Sequence, residues 1–227
     1  MRSLPLPLAL SARLSPVIVL ACAGWALSAG PAATEPQDSS AKDSRQTQTE
    51  KSAAPSATAA TRTYSAAPAP CTSVATKTIS SLVPAAKTAG KEIPSTDTKL
   101  RRTCSWNALK GFDYRWLDIS FEILDSDSAA KSSYDDRLKE KSGGGAVPGL
   151  GDEAYSVVNL TTEDKQQTRE GVVIARMSNA LVVVTYNGSD FESKKAPSTD
   201  VINKGAIKAA KEAAATLQKA DGQNAAG

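Results

Sequence analysis

Histidine is absent from all 227 residues. Ser-His-Asp and Cys-His nucleophilic sites are therefore excluded, as is any histidine-ligated zinc. What remains for chemistry is carboxylates, three cysteines and a few aromatic rings. Asp152 and Glu153 are adjacent carboxylates, the minimum for a paired-carboxylate hydrolase. Neighbours in an extended segment point to opposite faces, however, so turn polarity is the better reading of that pair. Gly149-Leu150-Gly151-Asp152-Glu153-Ala154 spells G-x-G-x-x-A, but a dinucleotide fingerprint needs a strand before it and a helix after it. Here a helix and a glycine loop precede the motif and a strand follows. The segment reads as a tight turn.

Tyr186-Asn187-Gly188-Ser189-Asp190-Phe191-Glu192 gathers oxygen side chains without the ligand spacing of a calcium loop, and reads as a capped turn. No metal, no cofactor and no catalytic residue is expected. Trp106, Tyr114 and Trp116 form the candidate ligand groove. With Leu117, Ile119, Phe121 and Ile123 facing the core, Tyr114 and Trp116 lie on the other face with Asp118. The alternative is that a helix covers that face and makes them a second layer of core.

These residues need a scaffold, and composition shows where it lies. Residues 1–30 are apolar with only Arg2 and Arg13 charged, and the apolar stretch from Leu14 to Leu27 is shorter than the ~20 residues of a membrane span. This predicts a signal peptide over 1–29, of lipoprotein type. Val19-Leu20-Ala21-Cys22 is similar to a lipobox, which would make Cys22 the lipidated N-terminus. A later cut near Ala29 or Ala32, or retention of the segment as an anchor, are the other readings. All three place the remaining chain outside the cytoplasm. It would be lipid-anchored to the outer face of the cytoplasmic membrane, or secreted.

Residues 30–68 lack Val, Ile, Leu, Phe and Trp, and read as a disordered Ala/Ser/Thr/Pro-rich tether. From residue 68 onward 21 basic side chains face 20 acidic ones, with no concentrated basic patch, so nucleic acid is not an expected partner. In an oxidising compartment Cys71 and Cys104 would most often pair, the alternative being two buried free thiols.

Residues 69–220 carry the periodicity of one domain. A helix is expected from Cys71-Thr72 to about Ala86, and a loop over 87–99. A strand follows from Leu100 to Trp106, with a turn over Asn107–Gly111. Leu117, Ile119, Phe121 and Ile123 alternate with Asp118, Ser120 and Glu122, a half-buried strand. Asp125 or Ser126 caps a helix over about 128–141 that ends at Gly143-Gly144-Gly145. Strands over 154–160, 171–177 and 180–186 follow, the last two joined at Ser178-Asn179 as a hairpin. Leu181-Val182-Val183-Val184 reads as a strand covered on both faces. Ser198 or Thr199 caps a last helix with the stripe Ile202, Ala206, Ala209, Ala213 and Leu217, and residues 221–227 are expected to fray. The order α-β-β-α-β-β-β-α implies an α+β domain with a mostly antiparallel five-stranded sheet.

The signal segment, the tether, Pro70-Cys71-Thr72, Cys104-Ser105-Trp106 and Val147-Pro148-Gly149-Leu150-Gly151-Asp152-Glu153-Ala154 together resemble a family of exported actinobacterial lipoproteins of no assigned function. The resemblance runs over about 69–220. It implies a Cys71–Cys104 disulfide and a cell-surface location, and it carries over no catalytic residues. A fainter likeness, in element order only, is to extracellular sensor domains of actinobacterial receptor kinases. The expected function is that of an envelope-tethered binding or interaction module. Its partners would be the membrane, through the lipid anchor, and an unknown envelope ligand or protein. A purely structural envelope component and a carboxylate-dependent hydrolase are the alternatives.

Overall fold

The computed structural model describes residues 62–224. The signal peptide, Cys22 and the tether as far as residue 61 lie outside the described residues. The first described residues are already packed: Tyr64 and Ala67, inside the stretch expected to be tether, are buried.

A single 3-10 turn, Pro70–Thr72, leads to a short helix α1 (Thr76–Leu82). Strands β1 (Lys91–Ile93), β2 (Arg101–Lys110) and β3 (Asp113–Ile123) follow, then helix α2 (Asp127–Lys139). Strands β4 (Gly145–Ala146), β5 (Glu153–Glu163), β6 (Gln166–Met177) and β7 (Ala180–Asp190) lead to the long helix α3 (Thr199–Asn224). The strands form one sheet in the order β1-β2-β3-β7-β6-β5-β4, and every neighbouring pair is antiparallel. Two meanders, β1-β2-β3 and β4-β5-β6-β7, thus meet along β3 and β7.

The fold is α+β, but the sheet has seven strands and not the five expected. The two additions are its edges. With three and two residues, β1 and β4 are too short to show a period of two, and both lie among glycine, proline and serine. The first helix is also shorter than expected. Ser73 turns its backbone N–H and its hydroxyl back to the Pro70 carbonyl, closing the 3-10 turn and breaking the helix there. The cap of α1 then comes from far away: Glu212 of α3 accepts from the Ala75 N–H at 2.9 Å and from the Thr78 hydroxyl at 2.7 Å. At the other terminus α3 runs to Asn224, past the expected start of the frayed tail.

The alternation of β3 holds. Leu117, Ile119, Phe121 and Ile123 are all buried and join Cys104, Trp106, Val173, Val182 and Val184 in the main core. Over that core lies α3, with all five stripe residues fully buried. Gly205 permits the close approach, since a Cβ there would come within 2.7 Å of the Tyr186 ring. The Tyr186 hydroxyl in turn donates to the Leu82 carbonyl at 2.7 Å, fastening α1 under α3.

Helix α2 crosses the opposite face. Ser126 caps it by accepting from the Ala129 N–H, as expected of Asp125 or Ser126. Its Tyr134 and Leu138 pack on Val157, Val172, Ile174 and Leu181. Leu181–Val184 is therefore sandwiched between two helices, which accounts for its unbroken apolar run. Arg137 of α2 also reaches Glu122 of β3 at 2.5 Å. Among the described residues no helix is long and apolar enough to cross a membrane.

Candidate functional site

A helix of 13 residues cannot cover a face built from strands of 10 to 12. Helix α2 lies over the end of the sheet nearest the Ser178-Asn179 turn, and the other half of that face stays open. Strand parity dictates what it displays. Unbroken register places Asn107 opposite Trp116, Trp116 opposite Asn187, Asn187 opposite Glu170 and Glu170 opposite Asn159. These five side chains share the face on which Leu181 and Val172 meet α2. They form one row across five strands, about 19 Å long at the usual inter-strand spacing.

Trp116 is the one aromatic ring in this row, next to the central Asn187. It is 37% exposed, and its indole N–H donates to both Asp118 Oδ1 (2.7 Å) and Ser105 Oγ (2.8 Å). Two acceptors on one donor fix the ring plane in the absence of ligand. Toward the sheet end lie Tyr114 and Phe191, stacked with centroids 6.0 Å apart, and the exposed Leu109 opposite Tyr114. On the β5–β6 side, Asn159, Thr161, Glu163, Asp164, Gln166, Thr168 and Glu170 line a shallow groove of about 610 Å³. Its rim is tied down where Gln166 donates to Ser189 Oγ (2.7 Å) and to the Asp190 carbonyl (3.1 Å). Hydrogen bonds from the Ser193 backbone and hydroxyl hold the Asp190 carboxyl below the usual aspartate range. The 186–192 cluster is thus strand to Asp190 and then a turn closed on that carboxylate.

Of the three candidate groove residues, Tyr114 and Trp116 lie on the open face, and Trp106 does not. Trp106 has the parity of Cys104 and is 1% exposed in the main core, with its indole N–H on the Thr88 carbonyl at 3.0 Å. Cys71 and Cys104 are joined in a disulfide. Gly90, at φ +68°, rests on both: a Cβ would stand 2.6 Å from Cys104 Sγ and from the Trp106 indole. Asp152 and Glu153 converge after all, but on a cation. Arg176 pairs with Asp152 at 3.1 Å and with Glu153 at 2.8 Å, and Asp152 also accepts from the Ser178 N–H. The G-x-G segment is a turn whose Asp152 N–H bonds the Arg176 carbonyl. Among the described residues no three His, Cys, Asp or Glu side chains are grouped as a metal site would need.

Asn159 and Glu170 are not singled out in the sequence, and Asn107 and Asn187 read there as turn residues. Each lies where its strand has left the apolar core, although continued parity from Val157 to Asn159, or from Val183 to Asn187, places them on this face.

No family model and no curated protein matches the chain. A crystal structure from Bacteroides thetaiotaomicron is similar over 49% of this chain and 50% of that one, at 13% identity and a TM-score of 0.31. The chain therefore spans about half the length of that protein, and the likeness is too slight to bear on fold or function.

Proposed function

We propose that this protein is a cell-envelope binding module, tethered through a lipidated Cys22 to the outer face of the cytoplasmic membrane, with its ligand lying across the open half of the sheet. The observation that carries this reading is the row Asn107–Trp116–Asn187–Glu170–Asn159: a ring already oriented, flanked by polar side chains held at regular spacing on a rigid sheet. Preorganised groups of this kind bind without the cost of ordering them. The entry of the chain supports the same arrangement. Tyr64 is clamped at the Ser178-Asn179 turn, where its N–H and carbonyl both bond the Asn179 amide. Asn187 lies seven residues along β7 from Ala180, roughly 24 Å away at the rise of a strand. A tether leaving at the Tyr64 end would hold the open face away from the membrane. The reading is of a binder and not an enzyme, since the adjacent carboxylates Asp152 and Glu153 already neutralise Arg176.

Native mass spectrometry of the full chain recovered from its envelope tests this. The expected result is an adduct on the wild type that Trp116→Ala abolishes at unchanged melting temperature. Absence of any adduct, or one indifferent to Trp116→Ala, refutes the proposal.

A further inference from the structure

The charges of the open face narrow what it can hold, an argument that rests on the binding reading above. Its carboxylates are Asp118, Glu163, Asp164 and Glu170. Two basic side chains share the face away from the groove, Lys91 on the edge strand opposite Ser105 and Arg101 paired with Glu122. Lys110, Arg115 and Arg169 have the opposite parity; Arg115 pairs with Asp113 at 2.6 Å and Arg169 bonds the Pro197 carbonyl. A phosphate, sulfate or uronate in the groove would therefore meet three carboxylates and no basic side chain in its lining. The groove beside the row is lined only by amides, hydroxyls and carboxylates, so a lipid chain would find no apolar side chain to pack on there. Trp116 nevertheless offers a fixed aromatic surface. Asn159 and Asn187 each bring two N–H donors and an acceptor.

A ligand suited to this mixture has flat, weakly apolar faces, many hydroxyls that both donate and accept, and no negative charge. We infer that the face binds a glycan strand, uncharged or amine-bearing, laid across the strands with one sugar ring on Trp116 and its hydroxyls on Asn187, Glu170 and Asn159. The row crosses five strands, which suits several linked sugars and not one. Charge complementarity decides between glycans, because the four carboxylates tolerate or attract an amine and disfavour an acid.

The test immobilises neutral glucans and N-acetylhexosamine oligomers, their de-N-acetylated amine forms, polygalacturonate, and an oligolysine peptide, and measures retention of the full chain. Neutral or amine-bearing glycans are expected to bind and polygalacturonate is not. Trp116→Ala should weaken binding about tenfold or more, the scale of one lost stacking contact. Trp116→Phe should recover part of the loss, and Glu170→Gln or Asn187→Ala should each weaken binding severalfold. Equal retention of polygalacturonate, retention of oligolysine alone, or indifference to Trp116→Ala overturns the inference. A native adduct lost in Trp116→Ala but not of glycan mass overturns the glycan assignment and leaves the binding face standing. No adduct and no retention overturns both.

Discussion

Replacing both cysteines of the disulfide, Cys71→Ala with Cys104→Ala, probes the link between the lead-in segment and the sheet. The bond joins the 3-10 turn before α1 to β2, across 33 positions of sequence. Closing a loop of that size removes about 12–13 cal/mol/K from the unfolded chain, or roughly 4 kcal/mol at 25 °C. Cys104 is fully buried against Gly90 and Trp106, so the small void adds at most about 1 kcal/mol. For a domain of this size a loss of that order lowers the melting temperature by roughly 8–16 °C. Urea unfolding followed by tryptophan emission measures it, because Trp106 is buried in the core beside the bond. The double variant and the reduced wild type should unfold alike, about 2 M urea before the oxidised protein if the slope is near 2 kcal/mol/M. A loss below about 1 kcal/mol in the double variant would show that the unfolded chain is already confined there, and the loop argument would fail.

Two further substitutions test how the sheet is held at its two ends. Asn179→Ala removes the fully buried amide that bonds the Tyr64 N–H, the Tyr64 carbonyl and the Leu124 carbonyl. It should cost roughly 2–4 kcal/mol, with faster tryptic cleavage at the exposed Arg62; unchanged melting and cleavage would dismiss the clamp. Glu92→Gln tests the edge strand β1. The Arg102 hydrogen bond, at 2.6 Å, holds the Glu92 carboxyl below its ordinary 4.5. A depressed folded pKa means stabilisation that is complete above the unfolded value and lost as pH falls through the folded one. Both partners are partly exposed, so the effect is under about 1 kcal/mol. The variant should show a flatter stability profile below pH 4.5, and an identical acid limb in wild type and variant would refute the pairing.

What the sequence revealed depended on how many faces of an element were covered. Strand β3 was legible because one of its faces meets α3 and the other meets polar side chains, so hydrophobicity alternates. The run Leu181–Val184 was legible because both faces are covered. Helix α3 showed its stripe because a single seam of alanines and two larger side chains meets the sheet. The start of α1 was misread for the reverse reason: its cap is Glu212, 137 residues from Ala75, and no local rule reaches that far. Edge strands β1 and β4 exist through pairing with β2 and β5, and contribute almost no core of their own.

The errors at strand ends share a single cause. The apolar signal stopped at Trp106, Leu160 and Tyr186, and began only at Gly171, yet the ladders run on to Lys110, Glu163 and Asp190, and back to Gln166. All four extensions lie at the end of the sheet that α2 does not cover. Once no helix demands apolar partners, Asn107, Asn159, Glu170 and Asn187 keep strand geometry while reading as loop. Backbone pairing through β2-β3-β7-β6-β5 keeps them in line without help from a core on their side. A polar stretch that nonetheless remains in register is what a rigid recognition surface requires: positions fixed by the ladder, side chains left free for something else. The polar strand ends that read as loop in sequence are thus the part of the chain where we place the proposed ligand. Tyr114 and Trp116 were the side chains there conspicuous enough to mark it in advance.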